Sequence, residues 1–356
     1  MKPRLIIMEF HHLGDALLSF PFIRAASEKY EVWVYCRPQL RSVFLSMVPA
    51  TRIVTWEPFW TRGCFWSLAE LANEEKRLKE INAEIVVCGW ADSRVHLFML
   101  LTGASRRVGF PMNRLNYFSW KAAFQKSRLF LGISFSLVVR LWKGQPLLTC
   151  SLQRVEFNQS HWKDWIQVGE ALGLTVSMET PWFKLESGGS TKVPNNNGRW
   201  LVHVGARLAE KCWALENFEQ VANTYLDKSH REWVCLGLSE RRENYPINLR
   251  SKYKETTTWN RLIEEVNAAD LILCHDTSVA HLAAALGKRV VTLFGGMPTC
   301  WFAPYGNEQW VIAYGDMTEF KFGEDSSLVA KIKVRDTVEM MKYAEADFNT
   351  WQKKNL

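Results

Sequence analysis

The 356-residue sequence predicts an α/β protein built as two parallel-sheet halves, and three observations carry that prediction. Short apolar runs rich in β-branched residues alternate with stretches of helical period, the signature of βα units around parallel sheets. The alternation breaks at two turn-rich clusters, residues 186–191 and 194–198, and then restarts, as expected of two units joined by a linker. The composition, 47% apolar and 23% charged, is that of a globular chain and excludes a disordered or fibrous one. At this length there is material for more than one core.

Taken in order, residues 5–9 read as a buried strand that ends on Glu9. Residues 16–29 follow with helical apolar spacing at Leu17, Leu18, Phe20, Ile23 and Ala26. A strand is predicted at 32–36, a short helix at 40–47 and a strand at 52–55. A charged helix at 67–82 leads into a strand at 84–89 and a helix at 93–102. Beyond the linker, strands at 200–204, 232–237, 271–274 and 290–294 alternate with helices at 218–226, 258–268 and 278–286. A helix over 336–351 ends the pattern. The expected domains are therefore 1–180 and 181–335, with 336–356 as a terminal helix packing back towards the first. A ligand is expected at the carboxyl ends of the strands, in the cleft between the halves.

Net charge is +7, and it is concentrated. Residues 106–160 hold nine Lys and Arg and one acid, Glu156, a local +8 that leaves the rest of the chain at −1. Such a segment suits a polyanionic partner or an anionic membrane surface. Equally, its aromatic residues (Phe118, Trp120, Phe124, Phe130 and Trp142 among them) suit a core whose charges are merely solvated. No nucleic-acid-binding motif accompanies the charge, so nucleic acid is not expected as a partner. The eight cysteines are spread singly, without CxxC or nearby histidine partners, which argues against zinc and for small buried thiols in a reducing cytoplasm. No segment approaches the ~20 apolar residues of a membrane span, and residues 1–12 are too polar for a signal peptide. A soluble or at most peripheral protein is expected.

Three strand–loop–helix junctions could carry chemistry. In the first, Gly14-Asp15 follows the strand at 5–9. Asp15 reads either as a helix N-cap or as a carboxylate general base, and Glu9, His11 and His12 flank it. The loop lacks GxGxxG, so that dinucleotide fingerprint is not supported. In the second, Arg207 and Lys211 lie four apart after the strand at 200–204, either converging on a phosphate or lying on a solvated turn. In the third, Asp276-Thr277-Ser278 opens an alanine-rich helix whose free N–H groups and small residues suit a diphosphate. Thr277 or Ser278 could equally be a simple cap, and His281 a satisfied buried histidine.

Four blocks in order resemble the ADP-heptose:lipopolysaccharide heptosyltransferases, glycosyltransferase family 9. They are Gly14-Asp15-Ala-Leu-Leu-Ser-Phe-Pro21, Arg106-Arg107-Val-Gly-Phe110, Gly205-Ala-Arg207 with Lys211-Cys-Trp213, and Asp276-Thr-Ser-Val-Ala-His281 running on to Leu293-Phe-Gly295. The third block with Trp301 and Pro304 is most similar to the heptosyltransferase III branch. The resemblance implies a GT-B fold, two Rossmann-like domains with the active site in the interdomain cleft. It implies inverting transfer of heptose from ADP-heptose to a hydroxyl of the lipopolysaccharide inner core, with no metal and no cofactor beyond the donor. Asp15 then matches the general base and Lys211 the lysine that stabilises departing ADP. Arg207, Asp276, Thr277, Ser278 and Val279 match donor-binding positions, with Glu240 as a ribose ligand. His12, Arg106, Arg107 and Lys121 are the expected acceptor contacts, and the acceptor implies a cytoplasmic enzyme in peripheral contact with the inner membrane. Two departures from the family pattern stand out: Ser278-Val279 replaces a Gly/Ala-Pro turn, and His275 replaces a small or apolar residue.

Overall fold

The computed structural model describes residues 1–58, 61, 68–111, 147–154, 159–183, 198–206, 208, 211–229, 231–237, 239–295, 298–314 and 328–355. They divide into two compact units, Met1–Met178 and Glu179–Leu356. Most of the basic segment, both turn-rich clusters, Cys64, Lys121 and Arg207 lie outside the described residues.

The first unit is a parallel sheet of six strands: β1 (Arg4–Glu9), β2 (Glu31–Cys36), β3 (Ile53–Thr55), β4 (Ile85–Cys88), β5 (Arg106–Gly109) and β6 (Cys150–Ser151). They run in the order β3-β2-β1-β4-β5-β6. Leu5, Ile6, Ile7 and Met8 of the central strand are fully buried, as a parallel sheet covered on both faces requires. The helix expected at 16–29 is two helices, Leu13–Leu18 and Phe20–Lys29. Pro21 has no N–H, and its ring obstructs the preceding turn. The chain therefore breaks at Ser19, whose Oγ donates to the Ala16 carbonyl at 2.6 Å. Residues 40–47 form a 3-10 turn and a four-residue helix, Arg41–Phe44, rather than one helix.

Two features here escaped the sequence pattern. β5 reads Arg-Arg-Val-Gly, with little apolar content to announce a strand. It accommodates a buried Arg107 whose guanidinium bonds two carbonyls: Nη1 donates to that of Ala104 at 2.7 Å and Nε to that of Leu147 at 3.0 Å. The second is the helix His161–Ala171, which packs beside Phe20–Lys29 and buries Trp165 and Val168. Arg106 donates to the carbonyl of Ala171 at its end.

The second unit is also all parallel: β7 (Arg199–His203), β8 (Glu232–Leu236), β9 (Leu271–His275), β10 (Arg289–Leu293) and β11 (Val311–Ile312), in the order β11-β10-β9-β7-β8. Trp200, Val202, Leu271, Leu273, Val291 and Leu293 face a core completed by Trp213 and Phe218. The helix expected at 218–226 runs over Leu215–Val221 and continues as a π turn, Ala222–Leu226. The C-terminal helix, Val334–Asn355, was expected to return to the first domain; its described packing is in this unit. Met341 and Ala344 enter the core, and Glu345 pairs with Arg231 at 2.5 Å.

Gly89, directly after β4, sets how closely Trp165 can approach the sheet: a Cβ there would stand 2.5 Å from the indole. The variant Gly89→Ala should lose about 1–3 kcal/mol through overpacking, read as a lowered urea midpoint with an unchanged slope. An unchanged midpoint would show that the indole moves aside at no cost.

Candidate functional site

Strand order determines where side chains can gather. In both sheets the winding reverses beside the first strand, between β1 and β4 and between β7 and β9. Loops leaving the carboxyl ends of such a pair diverge, which makes that point the usual ligand position in open α/β sheets. Each unit places its notable polar residues there.

In the first unit, β1 ends on Glu9, fully buried. One of its oxygens, Oε1, accepts from the backbone N–H of His11 at 2.9 Å and lies 3.2 Å from the His11 ring Nδ1. Its Oε2 is buried with no hydrogen-bond partner among the described residues. The next N–H along, that of His12, donates to Asp15 Oδ2 at 2.9 Å. His12 is the N-cap residue and Asp15 lies three positions into the helix, so Asp15 reaches back to the cap instead of being the cap itself. Asp15 is nine-tenths buried.

The loop after β4 supplies Trp90 and Asp92. Asp92 caps the helix Ser93–Leu101 by accepting from Arg94 N at 2.9 Å, and holds the Arg94 guanidinium at 2.7 Å. Burial alone would push its carboxyl up, but the Arg94 fork, with His11 nearby, holds it below the usual range. The Trp90 indole stacks on His11 at 4.3 Å and contacts His161 at 3.9 Å. His161 Nδ1 lies 3.0 Å from the fully buried Asp164, which Arg154 and Gln159 also bond at 2.6 Å each. Burial lowers the pKa of both imidazoles. At His11 this is outweighed by Glu9, Asp92 and Asp15, and its pKa is raised. At His161 burial prevails, assisted by Arg154 and His11.

In the second unit, the loop after β7 brings Lys211 onto the end of β9. Its Nζ donates to Asp276 Oδ2 at 2.5 Å and lies 3.5 Å from the Asp276 carbonyl. Asp276 is buried. The helix Ser278–Ala285 starts two residues later, with Thr277 in the N-cap position. The Thr277 hydroxyl caps nothing and is buried without a partner among the described residues. An ammonium thus sits beside a helix N-terminus with no side-chain cap, a strongly anion-attracting arrangement. His275 is fully buried, and its Nε2 accepts the backbone N–H of Trp213 at 2.8 Å.

The sequence-derived residues fall into place unevenly. Lys211, Asp276, Thr277, Ser278 and Val279 come together in the second unit, and Asp15 and His12 in the first. Glu240 lies on a 3-10 turn, Ser239–Asn244, after β8. Arg106 and Arg107, the expected acceptor contacts, are both strand residues whose guanidinium groups bond backbone carbonyls; Arg107 is buried and Arg106 exposed. The motif reading missed Asp92, Trp90 and the Arg154–Asp164–His161 group. A carboxylate closing an apolar strand, Glu9, was the one signal in sequence that pointed to a polar cluster there.

Comparison with known proteins completes the picture. Residues 172–329 match the model of glycosyltransferase family 9 (heptosyltransferase). Over that stretch the chain is similar to glycosyltransferase family 9. The lipopolysaccharide core heptosyltransferase OpsX of Haemophilus influenzae is 26% identical over 139 residues, 36% of this chain and 39% of OpsX. The match to this curated relative thus spans about two-fifths of its length. Among solved structures, a family 9 glycosyltransferase of Veillonella parvula has a TM-score of 0.69 at 14% identity, covering 98% of both chains. The E. coli heptosyltransferase WaaC with ADP has a TM-score of 0.66 at 13% identity, covering 96% of this chain and 99% of its own. E. coli ADP-heptose heptosyltransferase II has 0.65 at 15%, covering 98% and 100%. These likenesses establish a shared GT-B fold of two Rossmann-like domains.

Burial makes several histidines of this chain pH-sensitive. It pushes His203 down to about 4 and His275 to about 3. Both are neutral in the fold and bind a proton in the unfolded chain below its pKa of about 6.5. Their contribution is therefore present above about pH 6.5 and is lost as pH falls towards their folded values. His11 has the opposite sign: its raised pKa stabilises below about 6.5 and ceases to do so as pH rises through its folded value. Stability should fall between pH 7 and pH 5, and in His275→Gln about 2 kcal/mol less should be lost over that interval. Urea titrations at the two pH values give the comparison; equal losses would mean that His275 is not held neutral.

Proposed function

We propose that the protein transfers heptose from ADP-heptose to a hydroxyl of the lipopolysaccharide inner core, with inversion and without a metal ion. The Lys211–Asp276 pair beside the uncapped start of helix Ser278–Ala285 carries this reading. The match to the family 9 model supports the transferase class. Two similar proteins, a lipopolysaccharide core heptosyltransferase and WaaC in complex with ADP-2-deoxy-2-fluoro heptose, support the donor and acceptor.

In this reading the Asp15 carboxylate takes the proton from the acceptor hydroxyl as its oxygen attacks the anomeric carbon. The bond from that carbon to the diphosphate oxygen breaks on the opposite face, and the electron pair leaves with ADP. Negative charge then grows on the diphosphate, where Lys211 and the amides of Thr277, Ser278 and Val279 can receive it. Asp276 holds the Lys211 ammonium in place before the donor arrives, and Arg207 and Glu240 complete the donor site. The hydrogen bond from His12 aims the Asp15 carboxylate, so its capping role and its role as base are compatible. His12 and Lys121 remain the proposed acceptor contacts. Among the described residues no helix is long and apolar enough to cross a membrane. We place the enzyme in the cytoplasm, meeting its lipid-borne acceptor by peripheral contact with the inner membrane.

Asp15→Asn keeps the acceptor for the His12 N–H but removes the base. It should unfold within about 1 kcal/mol of wild type while ADP release in the presence of a heptose-containing core acceptor drops by about 10²–10⁴. Near-normal turnover would sink the assignment. For the donor, ADP should raise the melting temperature in a concentration-dependent way and UDP and GDP should not; the reverse preference would point to another nucleotide-sugar. Lys211→Ala should abolish the ADP shift.

A further inference from the structure

His275 is the departure from the family pattern that the reaction above does not use. We infer that His275 is a positioning residue for Lys211, clasping the donor-binding loop to the end of β9 through its Nε2 and the Trp213 backbone. The inference rests on the reading of Lys211 as the diphosphate-binding lysine.

The geometry is a double attachment. Two successive residues at the end of β9, His275 and Asp276, hold two points of one loop. Asp276 takes the side chain of Lys211 at 2.5 Å, and His275 takes the main chain of Trp213 at 2.8 Å. Between them lies only Cys212, so the backbone on which the ammonium is mounted is fixed two residues from its Cα. The ring itself cannot drift. It is fully buried and meets the Phe218 ring edge-on at 5.1 Å; Phe218 in turn packs edge-on to the Trp213 indole at 5.1 Å. The Trp213 indole N–H donates to the Ile332 carbonyl at 3.0 Å, which anchors the far side of the same residue.

The chemistry fits a permanent acceptor. A backbone N–H can donate to Nε2 only when that nitrogen carries no proton. Burial, with His203 and Lys211 nearby, keeps the imidazole neutral. A small or apolar residue at 275 would leave the Trp213 N–H buried and unpaired, at a cost felt in the loop that carries Lys211. The other charged or titratable groups facing this ring are His203 and Lys211 themselves; Asp276 and Cys274 adjoin it in sequence.

The test compares ADP affinity by isothermal titration, and donor KM and kcat, in full-length His275→Gln, His275→Asn and His275→Leu. Glutamine can place an acceptor where Nε2 stands. Asparagine remains polar but ends near the Nδ1 position, and leucine offers no acceptor. His275→Gln should bind ADP within about threefold of wild type, while His275→Asn and His275→Leu should bind about tenfold more weakly. The loss should appear in donor KM, with acceptor KM unchanged. Val291→Ala, a core change on β10, supplies a destabilised control and should leave ADP affinity intact. Should His275→Leu fail to fold, His275→Asn against His275→Gln carries the comparison. Equal affinity across the His275 variants, or a loss in Val291→Ala matching theirs, would overturn the inference. Lys211→Ala separates the two levels: if it leaves ADP affinity unchanged, the donor reading itself is wrong. If it weakens ADP while the His275 variants do not, only the clasp is refuted.

Discussion

A parallel sheet that reverses its winding beside its first strand must send the next connections over opposite faces, and the two loops at that point part company. Both sheets here do so, one between β1 and β4 and the other between β7 and β9. Strand ends that elsewhere would be covered by the next crossover are left open at these two places. The buried apolar strands supply rigidity, and the divergent loops supply polar side chains whose backbone starts from that rigid base. Asp15, Asp92 and Asp276 lie within six residues of such an end, and Lys211 lies eight residues beyond the end of β7. The order of the strands, more than any single contact, decides which residues can take part in chemistry.

The two units manage buried charge differently. In the second, each charged group near the strand ends has an obvious partner: Lys211 has Asp276, and the neutral His275 has the Trp213 amide. What is left over is the helix N-terminus and the Thr277 hydroxyl, both suited to an anion. The first unit gathers Glu9, Asp15 and Asp92 around one histidine, with Arg94 the neutralising cation on Asp92. An incompletely satisfied carboxylate such as Glu9 is costly to bury. It persists because its other oxygen folds the loop Phe10–His12, bonding His11 twice, and the next amide then holds Asp15. Stability is thus given up at the end of β1 to fix the orientation of a carboxylate six residues away along the chain.

Much of this was legible in the sequence where one physical signal dominated. β1, β2, β4 and β7 to β10 are apolar runs with no competing periodicity, and the two-unit organisation follows from their repetition. Boundaries failed where a local rule outweighed periodicity, as at Ser19, where Pro21 divides one helical pattern into two helices. β5 was unreadable because its first two residues are arginines, and Arg107 is buried only through carbonyls supplied by a distant segment and a turn. The helix His161–Ala171 carries Asp164 on its buried face, so its amphipathic pattern is interrupted by the very residue that anchors Arg154 and His161. Long-range polar pairing of this kind leaves no periodic trace.

At Asp15 the capping contact and the proposed role as base fall on one residue. A carboxylate near a helix start is ordinarily explained by capping, and the His12 amide does bond it. Yet a cap acceptor gains nothing from being nine-tenths buried beside a second carboxylate and a histidine of raised pKa. Serine or asparagine would satisfy the same amide with no charge to desolvate. Capping therefore does not by itself call for an aspartate, whereas the proposed role as base does need a carboxylate at the end of β1.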